Sequence, residues 1–190
     1  MKKIIIISTL IIAFLGITYA LYAFLMQIGV DEGYEPIQPI HFSHKIHAGD
    51  NQIDCKYCHS GARTSAVAGV PSLNVCMGCH NTISEYEGEE DLANGYTKEF
   101  YTKEIKKLYE AVGWDEQKFR YTGNPKGVQW IRIHKLPDFT YFNHSQHVAV
   151  GGLECQKCHG EVQQMEVVHQ YAPLTMGWCI NCHRQMPVNA

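Results

Sequence analysis

The sequence has no excess of basic residues, and it has no cysteine outside one short repeated pattern. Sixteen Lys and Arg residues are balanced by 19 Asp and Glu residues, which gives a formal net charge of −3. This balance does not indicate binding to nucleic acid or to an anionic surface, because both favour a strongly basic chain. After residue 30 the chain also lacks long hydrophobic runs, so an extended aliphatic core is not expected there.

The one long apolar run lies at the N-terminus. It is uncharged over the 27 residues from Ile4 to Val30 and follows two lysines. As a helix it would be about 40 Å long, enough to cross a hydrocarbon core of roughly 30 Å. A cleavable signal peptide is the alternative, but Thr18-Tyr19-Ala20 matches a cleavage site poorly. We predict that residues 1–30 are a transmembrane signal anchor in the bacterial cytoplasmic membrane, with residues 31–190 on the periplasmic side.

The eight cysteines form four Cys-x-x-Cys pairs, and a histidine directly follows each pair. A zinc site, a redox dithiol or a disulfide framework would explain the cysteines but not the histidines. In a Cys-x-x-Cys-His motif, two thiols attach to the vinyl groups of haem and the imidazole ligates the iron. We therefore predict four covalent haem c groups. The motifs contain Cys55, Cys58 and His59; Cys76, Cys79 and His80; Cys155, Cys158 and His159; and Cys179, Cys182 and His183.

A longer pattern occurs twice along the chain. The sequence Phe42-x-His44-x-x-His47 precedes the first motif by seven residues, and Phe142-x-His144-x-x-His147 precedes the third motif by the same distance. A second, simpler haem motif follows each block. The identical spacing predicts two pseudo-repeated dihaem halves, at 41–83 and 139–186, separated by a haem-free insertion at 84–138.

The repeated histidine pairs are candidate distal ligands for the four irons. On a helix, side chains three residues apart lie on nearly one face, so each pair could reach two haems placed side by side. We predict that His44 and His144 close the haem of their own block, while His47 and His147 reach across to other haems. His134 is a further candidate ligand.

Three other potential donors lie outside the repeat. His41 and His169 are interpreted as ordinary side chains. Met176, three residues before Cys179, could supply an axial thioether, but we interpret it as a packing residue.

The residues after the anchor have to surround four haems, at roughly 40 residues each. We therefore expect a mainly α-helical and irregular multihaem cytochrome c domain in which haem supplies much of the core. Within the insertion, apolar residues at helical spacing predict an amphipathic helix from Thr97 to Val112, with Gly113 as its stop. Residues 85–94 are predicted to form a loop, and Val128–Ile133 a short strand or an extended segment.

These motifs resemble known families. Phe-x-His-x-x-His ahead of Cys-x-x-Cys-His resembles the class III multihaem cytochromes c, low-potential proteins with bis-histidine haems and little regular structure. A fuller resemblance, to the membrane-anchored multihaem cytochrome c subunit of alternative complex III, covers most of residues 41–186. The segments that carry it are residues 42–47, 70–80, 130–137, 141–147 and 174–183. That subunit typically carries five haems, whereas this chain has four motifs.

The fuller resemblance implies an electron-carrying subunit that is not itself an enzyme. Its partners would be other subunits of a membrane respiratory complex that oxidises quinol and passes electrons to a periplasmic acceptor or a terminal oxidase. One alternative is a membrane-anchored tetrahaem quinol dehydrogenase that feeds a periplasmic reductase; its family lacks the paired-histidine repeat. Another is a passive periplasmic electron reservoir. Six-coordinate haem has no open site for substrate, which favours electron relay over catalysis.

Overall fold

The computed structural model describes residues 2–186, which form two compact units divided after Asp31. Residue 1 of the predicted anchor and residues 187–190 of the predicted haem domain lie outside the described residues. The first unit is an exposed helix, Lys2–Met26, followed by a turn. Its 25 residues span about 38 Å. The helix is long and apolar enough to cross a membrane, and a signal sequence would have the same features.

The second unit consists of short helices joined by irregular chain, which confirms the mainly α/irregular expectation. Its β structure, within the part of the chain that is described, is one antiparallel pair and an isolated bridge between Asp91 and Tyr96. The α-helices are Cys55–Cys58, Leu73–His80, Lys98–Val112, Gln156–His159 and Met176–Gln185; the 3₁₀ turns are Ser60–Arg63, Leu92–Asn94 and Val162–Gln164; and the strands are Trp114–Asp115 and Arg120–Tyr121.

Two π-helical segments, Lys45–Asp50 and Gln146–Val150, follow the first histidine of each His-x-x-His pair. Their wide turns are seen in bonds between residues five apart: the Asn51 N–H donates to the Ile46 carbonyl at 3.0 Å, and the Gly151 N–H donates to that of Gln146 at 2.9 Å. The π-helix is rare and is frequently found at functional sites. Sequence spacing alone predicts an ordinary helix here, because the extra residue in the turn leaves no separate pattern.

The helix Lys98–Val112 confirms the amphipathic helix predicted in the insertion. The Thr97 hydroxyl accepts a hydrogen bond from the Phe100 N–H at 3.1 Å, which caps the first turn. Gly113 ends the helix at φ +68°, a left-handed conformation that glycine adopts without steric cost. The helix therefore begins and ends at the residues that elementary capping chemistry favours.

The buried face of this helix forms the apolar core of the second unit. Leu108, Ala111 and Val112 pack with Ile40 and with Met77, which lies inside the second haem motif. The insertion is thus fixed to the helix Leu73–His80, and it supports one haem motif directly.

Other segments of the insertion are irregular. Residues 128–133 have no regular secondary structure, and the Gln38 side-chain amide exchanges two 2.9 Å hydrogen bonds with the backbone of Ile131. The hairpin Trp114–Tyr121 was not predicted, because strands of two residues are too short to show alternation. Residues 85–94 are irregular up to the turn Leu92–Asn94, as expected for a loop.

Candidate functional site

Each motif histidine faces one histidine of the two His-x-x-His pairs. A metal–nitrogen bond is about 2 Å long and the nitrogen lies about 1 Å from the ring centre, so two imidazoles on opposite sides of one metal have centres about 6 Å apart. The observed spacing fits one metal between the rings of each pair. The centre-to-centre distances are 6.4 Å for His44 and His59, 6.1 Å for His47 and His80, 6.4 Å for His144 and His159, and 5.9 Å for His147 and His183.

We call each ring pair together with its two cysteines a cradle. Cradle 1 contains Cys55, Cys58, His59 and His44; cradle 2 contains Cys76, Cys79, His80 and His47; cradle 3 contains Cys155, Cys158, His159 and His144; and cradle 4 contains Cys179, Cys182, His183 and His147. The two histidines of one His-x-x-His pair therefore belong to two different cradles.

The ring planes divide the cradles into two kinds. The planes are nearly parallel in cradles 1 and 3, at 4° and 12°. They are inclined at 53° in cradle 2 and at 79° in cradle 4. The phenylalanine of each repeated pattern contributes to this difference, because Phe42 stacks on His47 at 4.2 Å and meets His44 edge-on at 4.9 Å. Phe142 does the same to its own histidine pair.

Most of these imidazoles donate a hydrogen bond from Nδ1 to a backbone carbonyl. A carbonyl can only accept, so Nδ1 carries the hydrogen and Nε2 keeps its lone pair for a metal. The Nδ1 of His44 is buried and has no hydrogen-bond partner within residues 2–186. The acceptors are the carbonyls of Ser43 for His47 at 2.8 Å, Gly69 for His59 at 2.6 Å, Ile83 for His80 at 3.0 Å, Ala66 for His144 at 2.8 Å and Asn143 for His147 at 2.8 Å.

The buried imidazoles are neutral at pH 7. Burial, followed by the proximity of other histidines, lowers the pKa of His44, His134 and His159 to about 4. Burial also lowers the pKa of His47. Neutral imidazole is the form that ligates a metal, so the electrostatics of the site agree with its geometry.

The thiols complete the donor set. All eight cysteines are free, and burial raises the pKa of several of them, including Cys58 and Cys158. Among residues 2–186 no group of three or more His, Cys, Asp or Glu side chains is arranged to hold a metal ion. Two thiols for covalent attachment and two facing imidazoles for the iron fit haem c.

The remaining candidate donors lie elsewhere. The Nε2 of His134 is 3.1 Å from the Nδ1 of His159, so His134 lies beside a ring pair and does not face one. The ring of His41 contacts Glu166 at 2.8 Å, and His169 is 3.7 Å from Glu35, in agreement with their interpretation as ordinary side chains. The described fold leaves Met176 52% exposed, against the expectation that it packs.

Backbone contacts that the sequence did not predict join the two His-x-x-His regions to distant haem motifs. The N–H groups of His144 and Ser145 donate to the carbonyls of Ala66 and Ser65 at 3.2 and 3.1 Å. In the opposite direction, the Lys45 N–H donates to the Met165 carbonyl at 3.0 Å. Because only main-chain oxygens accept these bonds, no side-chain pattern could have identified the segments.

A partly buried carboxylate, Glu166, was also missed, because a single glutamate has no motif. It accepts hydrogen bonds from Ser43 Oγ at 2.7 Å, His41 Nε2 at 2.8 Å and the Tyr101 hydroxyl at 2.7 Å. Burial alone would raise the pKa of Glu166, but these three bonds outweigh burial and lower it. Glu166 thereby links the segment before the first haem motif, the insertion helix and the segment after the third motif.

Comparison with known proteins gives two matches. Residues 26–110 match the class III cytochrome C family. Over 122 residues the chain is 30% identical to a protein of Nitratidesulfovibrio vulgaris described as "Menaquinone reductase, multiheme cytochrome c subunit". That match covers 64% of this chain and 45% of the relative, so the chain spans less than half of the relative's length. Both matches support the sequence resemblance to class III cytochromes c: residues 26–110 are similar to that family, and the chain is similar to a protein described as a multihaem cytochrome c subunit.

Proposed function

We propose that this chain is an electron-transfer subunit with four bis-histidine haem c groups, acting in a quinol-oxidising membrane complex of the alternative complex III type. The observation that carries the proposal is the set of four facing histidine pairs, each beside a Cys-x-x-Cys motif. Bound haem supplies one-electron chemistry. Two imidazoles per iron leave no open position for a substrate and favour the ferric state, and hence a low potential. Relay is therefore the function that this donor set supports best.

The contacts between cradles support a linear order, 2–1–3–4. Cradles 1 and 2 share one His-x-x-His segment, and cradles 3 and 4 share the other. The middle junction joins cradle 1 to cradle 3, because the Ala66 carbonyl after the first motif accepts hydrogen bonds from the Nδ1 of His144 at 2.8 Å and from its backbone N–H at 3.2 Å. These contacts support a proposed order in which cradles 2 and 4 are the two ends of the relay.

We also propose that the two halves, 41–83 and 139–186, are copies of one dihaem unit. Their contacts recur one hundred residues apart, because the bond from Lys45 to Met165 has its counterpart in the bond from Ser145 to Ser65. Each half thereby holds the histidine pair of the other. A duplication followed by mutual docking accounts for both the sequence spacing and these reciprocal bonds.

The location in our proposal is the cytoplasmic membrane, with the helix Lys2–Met26 as the anchor and the haem domain on the periplasmic side. The apolar length of that helix supports an anchor. The name of the relative, a menaquinone reductase subunit, supports partners in a quinone-linked complex. The electron acceptor would be a periplasmic carrier or a terminal oxidase.

Two measurements test this function. The mass of the mature chain should exceed that of its amino acids by four haem groups, and a variant with Cys179 and Cys182 both replaced by Ser should carry three. A mass equal to that of the amino acids alone, or bound zinc in place of iron, would refute the proposed electron relay.

Gentle solubilisation of the membrane then separates the candidate assemblies. Co-purification of the chain with other respiratory subunits supports the proposal. A lone chain that quinol reduces directly would support the alternative of an anchored tetrahaem quinol dehydrogenase, which the single apolar helix and the four motifs also fit.

A further inference from the structure

The imidazole of His159 is held differently from those of the first two motif histidines. His59 and His80 donate from Nδ1 to backbone carbonyls. The Nδ1 of His159 instead meets the Nε2 of His134 at 3.1 Å, with ring centres 4.3 Å apart and planes at 80°. His134 belongs to the insertion at 84–138, so cradle 3 is connected to a side chain from outside both halves.

The direction of this hydrogen bond follows from the chemistry of a ligating imidazole. If His159 binds iron through Nε2, its Nδ1 carries the hydrogen and donates it. His134 then accepts with its Nε2 lone pair, and its own hydrogen lies on Nδ1. That lone pair is therefore engaged, and His134 lies beside the ring of His159 and not opposite it.

We propose that His134 is a positioning residue of cradle 3, which holds the His159 ring nearly parallel to that of His144 and strengthens its donation to the iron. The inference rests on the proposed function, since it takes His159 and His144 as the two ligands of one haem. The 12° angle between their planes is the geometry that His134 maintains. The other ring is fixed independently, because the Ala66 carbonyl accepts from the Nδ1 of His144 at 2.8 Å.

Loss of His134 has two physical consequences for its neighbour. The Nδ1–H of His159 loses its acceptor, and the ring is no longer prevented from turning about its bond to the iron. A ligating imidazole that donates a hydrogen bond is the more electron-rich ligand and favours ferric iron. Removing the acceptor therefore raises the reduction potential of the haem in cradle 3.

The test compares His134→Leu, which removes the acceptor, with His134→Gln, whose amide oxygen can replace Nε2. His169→Leu is the matched control, because it removes a histidine that faces none of the four ring pairs. The holo protein of each variant is titrated potentiometrically, and its ferric state is examined by electron paramagnetic resonance and by carbon monoxide addition.

We expect His134→Leu to shift one of the four midpoint potentials upwards and to change one low-spin signal, with all haems still six-coordinate. His134→Gln should restore both properties to those of the parent, and His169→Leu should leave them unchanged. Unaltered potentials and signals in His134→Leu would overturn the proposal. So would a high-spin haem that binds carbon monoxide, because that result would make His134 an axial ligand.

The parent protein separates a failure of this inference from a failure of the proposed function. If the parent lacks four low-spin haems, the function itself is wrong. If the parent has them and His134→Leu matches it in potentials and spectra, only the role of His134 is refuted.

Discussion

His44 and His47 lie three residues apart, yet they face different partners, His59 and His80. Phe42 contacts both rings, and the carbonyl of Ser43 orients one of them. Phe42, Ser43 and the two histidines of this short segment therefore each make a different contact.

Replacing His44 with Ala should leave the iron of cradle 1 with one axial ligand. The expected result is a high-spin signal and carbon monoxide binding at one haem of four, because the open position admits an external ligand. Absorption and electron paramagnetic resonance spectra of the purified variant check this. His41→Ala, three residues earlier, is the control and should remain fully low-spin; a low-spin spectrum for His44→Ala as well would refute the pairing.

Glu166 makes a pH-dependent contribution to stability. Its pKa is lowered below the ordinary 4.5 in the folded protein, so the stabilisation is complete above that value and is lost as the pH falls through the lower folded value. At pH 7, Glu166→Gln should reduce the free energy of unfolding by about 1–3 kcal/mol, because it weakens three hydrogen bonds to a partly buried carboxylate.

Denaturant unfolding of the holo protein at pH 7 and at acidic pH measures this effect. The difference between the parent and Glu166→Gln should shrink as the medium becomes acidic. Glu110→Gln, at an exposed position of the insertion helix, should behave like the parent at both pH values. A difference that stays constant with pH would show that the carboxylate charge is not the cause.

At the scale of elements, the sequence predicted the insertion helix fully. It predicted a helix at each His-x-x-His segment but not the π-helical turn found there. Helix Lys98–Val112 has its own cap, stop and apolar face, and all three are local signals in the sequence. The π-helical turns are not, because an extra residue in a turn depends on what the histidines face. The prediction therefore succeeded where local chemistry decides the structure.

The insertion helix should stabilise the second haem motif through Leu108, which is 7% exposed and packs with Met77. Leu108→Ala should lower the free energy of unfolding by about 2–5 kcal/mol, because it leaves a cavity in the core. The exposed Lys103→Ala on the same helix should change it by no more than about 0.5 kcal/mol. Denaturant titration of both variants measures these free energies of unfolding. Similar losses in the two variants would show that Leu108 is not part of the stabilising core.

At the scale of the whole molecule, the ring angles predict two classes of ferric haem. Nearly parallel imidazole planes, as in cradles 1 and 3, separate the iron d orbitals in energy, whereas strongly inclined planes, as in cradles 2 and 4, leave two of them close together. Low-temperature electron paramagnetic resonance should therefore show rhombic and strongly anisotropic low-spin signals in similar amounts.

A variant with Cys76 and Cys79 both replaced by Ser tests the assignment of these signals. It should reduce the strongly anisotropic class and leave the rhombic class in place. Four equivalent signals in the parent, or a loss confined to the rhombic class in the variant, would contradict the predicted division.

The sequence alone was enough to predict the haem-attachment motifs and the histidines that are candidate iron ligands. Cys-x-x-Cys-His and Phe-x-His-x-x-His are local patterns that depend on residue type and spacing, so Cys55 and His44 could be predicted as haem-binding residues before any fold was known. The partners of His47 and His147, the junction of cradles 1 and 3, and the contacts of His134 and Glu166 were decided only by tertiary structure. The physical reason is that these contacts join residues far apart in the chain, often through backbone carbonyls that carry no sequence signal.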